Sequence, residues 1–159
     1  MYFFQVIISV FARIALSSIF IVSGIGKIID WHGSEEYLVT SLCDWHVHSS
    51  SIPYIEFIFD HLLQWVPILL GLVIFLEIFG GFLLLIGLQT RFGAFLLMVF
   101  LIPTTVIMHP FWVFVGSKSN LEMAMFMKNV AILGGLLMVL AFGNGYRRPP
   151  PQKREREDK

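Results

Sequence analysis

The sequence predicts an all-α membrane protein, a four-helix transmembrane bundle with interfacial helices between the first and second spans. Three observations carry that prediction. Hydrophobic residues make up 57% of the 159-residue chain and charged residues only 14%, against roughly 25% charged in a soluble globular domain. The apolar residues gather into runs at 4–29, 67–88, 92–115 and 121–142, each long enough to cross a hydrocarbon core of roughly 30 Å, which takes about 20 residues of helix. Lys and Arg are absent from 30–66 yet crowd the tail "RRPPPQKREREDK", an asymmetry that orients spans. The spans must be helices, because lipid offers backbone groups no partners and so short a chain has too few strands to close a barrel.

The opening stretch, "MYFFQVIISVFARIALSSIFIVSG", lacks a basic start and carries Arg13 inside its apolar run. It therefore reads as a permanent first span and not as a cleaved signal. Two amphipathic pieces follow, "SEEYLVTSL" and "PYIEFIFDHLLQW", the second opened by Pro53 where a helix tolerates proline; both are expected in the membrane interface. The second and fourth spans end in "FGGFLLLIGLQTR" and "LGGLLMVLAFGNGYRR". Their shared glycine pairs are explained by close helix packing without any duplication. Residues 1–146 form one membrane domain, and 147–159 are expected to be a disordered, charged cytoplasmic tail. The positive-inside rule puts both termini in the cytoplasm and Trp31, Trp45, Trp65 and Trp112 at the outer boundary.

Several function classes drop out. Formal net charge is zero, so no basic field points to nucleic acid. Cys43 is the only cysteine, which excludes an internal disulfide or a paired-cysteine redox centre. Cys43, Asp44, His46, His48 and His61 match no standard zinc spacing, and no metal site is expected. "SGIGK" lacks the spacing of a phosphate loop, and no hydrolase motif is present. Without a haem-ligand pair or dinucleotide motif the chain has no intrinsic cofactor and would not carry electrons alone. Neither a catalytic residue nor a catalysed reaction is identified.

What remains is a set of charges inside apolar helices. In the first span Arg13, Ser17, Phe20, Gly24 and Lys27 fall within about 40° of one stripe at about 100° per residue. Glu77 shares its face of the second span with Gly80, Gly81 and Leu84; Lys128 shares its face of the fourth with Ala124, Ala131 and Gly135. His109 lies near the outer end of the third, where an imidazole suits proton transfer. Each charge near a helix centre costs about 2.5 to 3.5 kcal/mol on the insertion scale, so each is expected to face protein. Glu77 is expected to pair with Arg13 or Lys128. Arg13, Lys27 and Lys128 then stand against one carboxylate, a surplus that suits an anionic or electron-rich guest: an oxyanion, a quinone carbonyl or a lipid headgroup. The alternative is that the buried charges serve helix packing alone.

Arg13 with "IFIVSGIGK", then "EIFGGFLLLIGLQTR", "MHPFW", "FMKNVAILGGLL" and "FGNG", in that order, resemble the DoxX family of small integral membrane proteins. The resemblance runs from Arg13 to Gly145; the longer segment between spans one and two and the charged tail depart from it. It implies a four-helix bacterial inner-membrane protein. Some relatives are associated with redox complexes, including a subunit of a thiosulfate:quinone oxidoreductase, and others with responses to oxidative stress. The positions that match are Arg13, Lys27, Glu77, Arg91, His109, Lys128 and Asn129. Arg91 is expected to anchor a cytoplasmic turn, and Asn129 to hydrogen-bond between helices. The leading expectation is a membrane subunit of a redox or quinone-linked process, joined to a partner subunit or to copies of itself. A noncatalytic scaffold is the alternative, and a small transporter a third class, weakened by the absence of a clear inverted repeat.

Overall fold

The computed structural model describes residues 2–49 and 61–143, with side chains from 3–44 and 61–143. Five helices are described over their whole length: α1 (Tyr2–Ile29), α2 (Trp31–Ser49), α3 (Val66–Ile86), α4 (Thr90–Met108) and α5 (Ser117–Phe142). Four of these, α1, α3, α4 and α5, are long and apolar enough to cross a membrane. The bundle runs in chain order, α1 against α3, α3 against α4, and α4 against α5. Its core gathers Phe20, Leu84, Ala94, Leu97, Ile132 and Leu136 from all four. Outward, the spans present large apolar side chains such as Phe11, Val22, Phe75 and Phe95, which in this chain contact the lipid bilayer.

Glycines set how closely the spans approach. A Cβ at Gly80 would stand 2.8 Å from the Leu97 side chain of α4, and one at Gly81 would stand 2.9 Å from Ile21 of α1. The pair thus serves two neighbours at once. The pair in α5 does something else: Gly134 has open space beside it and Gly135 meets only Leu16 at 3.5 Å. The similar stretches noted in the sequence therefore do not carry the same packing task.

α2 does not span. It begins after one turn residue because Asp30 caps it, accepting the Gly33 N–H on Oδ1 at 3.1 Å and the Ser34 N–H on its carbonyl at 3.1 Å. The cap starts the helix three residues before the short piece read at 34–42, and the helix also continues past that piece to Ser49. Its apolar side buries Leu42 against Val66 at the start of α3, with Leu38, Leu62 and Ile107 around them. α2 therefore covers one end of the bundle, the end that also holds Trp31, Trp65 and Trp112. Of the second amphipathic piece, 53–65, only 61–65 are described, with 61–64 helical and Leu62 and Leu63 packed against Leu42 and Val66; the rest of it and the charged tail at 147–159 lie outside the described residues.

The opposite end is closed by arginines at helix C-termini, where unpaired carbonyls and the helix dipole favour a cation. Arg91 Nη2 donates to the Ala141 carbonyl at 3.0 Å, near the end of α5. The Arg13 guanidinium packs against Gly87, the left-handed residue (φ 75°) that ends α3.

Candidate functional site

At the α2 end the four spans enclose a cavity of about 750 Å³, within the size range of small-molecule sites. Phe20 and Phe100 form its floor, edge to face at 6.5 Å. Gly33, Ser34, Tyr37 and Leu38 of α2 cover the other side. Lys27, Glu77, His109, Lys128 and Asn129 all line it. Arg13 does not; at a rise of about 1.5 Å per residue it sits about 21 Å along α1 from Lys27.

Glu77 is the most enclosed of these groups, 2% exposed. Its partner is Lys27, not Arg13 or Lys128. Lys27 Nζ lies 2.9 Å from both carboxylate oxygens. Ser23 Oγ donates to Glu77 Oε1 at 2.9 Å and accepts from Lys27 Nζ at 2.6 Å. Gly24 makes the meeting possible: a Cβ there would stand 2.7 Å from Ile78 and 3.4 Å from the Glu77 Cβ, so α1 comes near enough for the residues one place before and three places after it to reach the carboxylate. The flexible lysine stem lets the ammonium reach the carboxylate although Lys27 lies near the end of α1. Its ammonium also lies 6.0 Å from the Phe100 ring centroid, within reach of a cation–π attraction.

A second pair stands across the cavity. His109 Nδ1 lies 2.8 Å from Glu122 Oε2, both largely buried. A carboxylate at Nδ1 selects the tautomer with its proton there and leaves Nε2 as the second functional nitrogen. The loop holding His109 is fixed to α5 by Phe111, which meets Phe126 edge to face at 5.3 Å, and by Ser119 Oγ donating to the Phe111 carbonyl at 2.9 Å. Tyr37 of α2 feels the same carboxylate. Burial first, and then the Glu122 charge, push its phenol above the ordinary tyrosine range, while the Ser41 hydroxyl opposes them.

Lys128 and Asn129 complete the wall. Lys128 is exposed and, among the described residues, bonds to Met125 Sδ alone, at 3.4 Å; the buried stripe of α5 is Asn129, Ile132 and Leu136, so Lys128 sits at its edge. Asn129 makes no side-chain hydrogen bond to another described residue, contrary to the expected interhelical bond, and leaves its amide facing the cavity. Ser23 and Glu122 are two polar side chains of this site missing from the sequence-derived set. Both had a helical signal: Ser23 is four residues before Lys27, and Glu122 is seven before Asn129 on the stripe that continues to Leu136.

These contacts correct the charge balance. With Arg13 elsewhere, the charged side chains that line the cavity besides His109 are Lys27 and Lys128 against Asp30 and Glu77, two cations against two carboxylates, while Glu122 stands outside the lining as the partner of His109. The surplus positive charge read from the sequence is absent. Among the described residues no group of His, Cys, Asp and Glu is arranged to hold a metal ion.

The DoxX family model matches residues 8–110, well over half of the chain and three of its four spans. The chain is 29% identical over 134 residues to the inner membrane protein YqjF of Escherichia coli (strain K12), covering 84% of this chain and 82% of the relative. It is 28% identical over 135 residues to the inner membrane protein YphA of the same organism, covering 84% and 81%. No solved structure matches it. The family match, the two relatives and the four apolar spans lead to one conclusion: the chain belongs to the DoxX family and is a multi-pass membrane protein of the bacterial inner-membrane type.

Proposed function

We propose that this chain is the quinone-binding membrane subunit of a redox process, with both termini in the cytoplasm and the cavity in the outer half of the bilayer. The observation that carries the reading is an apolar cavity whose lining holds as many cations as carboxylates, with hydrogen-bond donors from α1, α5 and the loop after α4. A balanced site has little to offer a free oxyanion, whereas a neutral, electron-rich carbonyl needs donors without net charge. Lys128 and Asn129 supply donors not committed to a carboxylate, and Lys27 and His109 stand beside them. Apolar walls from Leu70, Val73 and Ile132 suit the ring. Electrons must come from a partner subunit, since the sequence carries no motif for a redox centre of its own.

Purification in mild detergent followed by solvent extraction tests this. Quinone is expected to copurify in near-stoichiometric amount. Lys128→Met with Asn129→Leu should bind an added short-chain quinone about tenfold more weakly, the equivalent of roughly one lost hydrogen bond at about 1.4 kcal/mol. Wild-type protein that neither retains nor binds quinone would sink the proposal. The scaffold reading draws on one observation, the full hydrogen bonding of Glu77 by Lys27 and Ser23; it expects the double variant to assemble and function unchanged.

A further inference from the structure

The cavity is open to the bilayer. Leu72 on α3 and Val99 on α4 line it, and both are also exposed on the outside of the bundle, at 52% and 49%. Leu76 and Pro103 line it beside them. At about 100° per residue, Leu72 and Leu76 lie on the flank of α3 that turns Gly80 toward α4. The four side chains therefore frame one cleft between α3 and α4. Toward Gly87 those helices are pinned together, since a Cβ at Gly93 would stand 3.0 Å from the Gly80 carbonyl oxygen. Toward the α2 end Pro103 sits inside α4. It has no N–H for the Val99 carbonyl four residues earlier, and its ring crowds that carbonyl. The helix loses a bond where the cleft opens.

We propose that this cleft is a lateral entrance, occupied by the hydrocarbon chain of a membrane amphiphile whose electron-rich head reaches Lys128, Asn129 and His109. The inference rests on the reading of the cavity as a head-group site and adds the route and the chain. The mouth is wholly apolar and lies near the middle of α4, at the depth of acyl chains, and none of the four residues that frame it is charged. A ligand arriving from water would have to pass α2, whose Leu42 is seated against Val66 with 1% exposure on each side. A chain-bearing molecule entering from the side leaves its tail in hydrocarbon throughout and desolvates only its head.

The full chain in phospholipid vesicles that contain a phospholipid with a diazirine on its acyl chain, photolysed and mapped by peptide mass spectrometry, tests the entrance. Labelling is expected at inward-facing Phe100 and Thr104 as well as at outward Phe75 and Phe95. Val99→Trp and, separately, Leu72→Trp fill the mouth from the lipid side, where added apolar bulk overpacks nothing. Each should lose the inward labelling and keep the outward. Labelling confined to outward residues in the wild type, or inward labelling that survives both substitutions, overturns the entrance whatever the ligand is. A quinone with an isoprenoid tail is then added in excess. Suppression of the inward labelling upholds both entrance and quinone; persistence upholds the entrance with phospholipid as its occupant and overturns the quinone reading alone.

Discussion

The two ends of the bundle use the same materials, glycine, arginine or lysine, and apolar bulk, to opposite effect. At the Arg13 end the cations lie against helix C-termini, Arg91 on the Ala141 carbonyl and Arg13 beside Gly87, and Gly80 and Gly93 bring backbones into contact. At the Lys27 end the charges sit within the bundle wall as Lys27–Glu77 and His109–Glu122, and the helices enclose space. A charge at a helix terminus has the dipole and the interface for company. A charge inside the wall has only its partner, so the second arrangement is tolerated where the partner is held in place. Gly24 and Ser23 do that holding.

The sharpest way to break the comparison is to remove one cation from each end. Lys27→Met leaves the Glu77 carboxylate enclosed without its counter-charge. It is expected to lower stability by about 3 kcal/mol, the low end for a broken buried pair, because the Lys27 side chain is 27% exposed. Adding Glu77→Gln to that variant should recover most of the loss. Arg13→Met removes a helix-terminal cation and is expected to cost about 0.3 to 1 kcal/mol. Reversible unfolding in detergent micelles measures all three. Equal losses from the two single variants would mean that the ends are not electrostatically different.

That contrast also marks how far the sequence could be read. The four spans were legible because hydropathy is a property of the run, indifferent to the partners of any one residue. The placement of Lys27, Glu77, His109 and Asn129 on the cavity was legible too, since a charge or amide in lipid is costly wherever its helix goes, but the same argument turned Lys128 further inward than its exposed place at the edge of the buried stripe. The choice of Lys27 over Arg13 was not. It depends on a close approach at Gly24 and on how far a lysine stem reaches, neither of which is set by spacing along one helix. Glu122 shows the same limit from the other side. Its place on the Asn129 stripe was visible, but its partner His109 comes from a loop whose position follows from the Phe111–Phe126 contact. The short reading of α2 missed the cap at Asp30, a local signal in "DWHG" that lay at the seam between a span and a polar segment.

A second, smaller effect sharpens the packing half of the comparison. Gly80→Ala puts a methyl 2.8 Å from Leu97 Cγ and 3.3 Å from the Gly93 carbonyl oxygen. Leu97 is fully buried and has no room to retreat, so the substitution should cost about 1 to 3 kcal/mol by overpacking. Gly134→Ala meets nothing within 4 Å and should be neutral or stabilise α5 by up to about 1 kcal/mol through helix propensity. Thermal unfolding of the two variants side by side gives the answer; a destabilising Gly134→Ala would show that the two glycine pairs do pack alike.

The smallest expected effect tests whether α2 is seated over the start of α5. Burial and the Glu122 charge both hold the Tyr37 phenol above its ordinary range. Glu122→Gln removes the second cause and leaves the first, so Tyr37 should ionise at lower pH than in the wild type yet still above the free side chain at about 10. The sign for stability follows. Above about pH 10 the unfolded chain loses this proton before the folded one does, so the folded state holds more protons and its stability falls as pH rises through the folded value. Below that window the contribution is fully present, and Glu122→Gln should narrow the window from its upper side. Phenolate absorbance, taken as the difference from Tyr37→Phe to remove the other tyrosines, reads the shift directly. An unchanged curve would mean that Glu122 does not act on Tyr37 and that α2 is not seated over the start of α5.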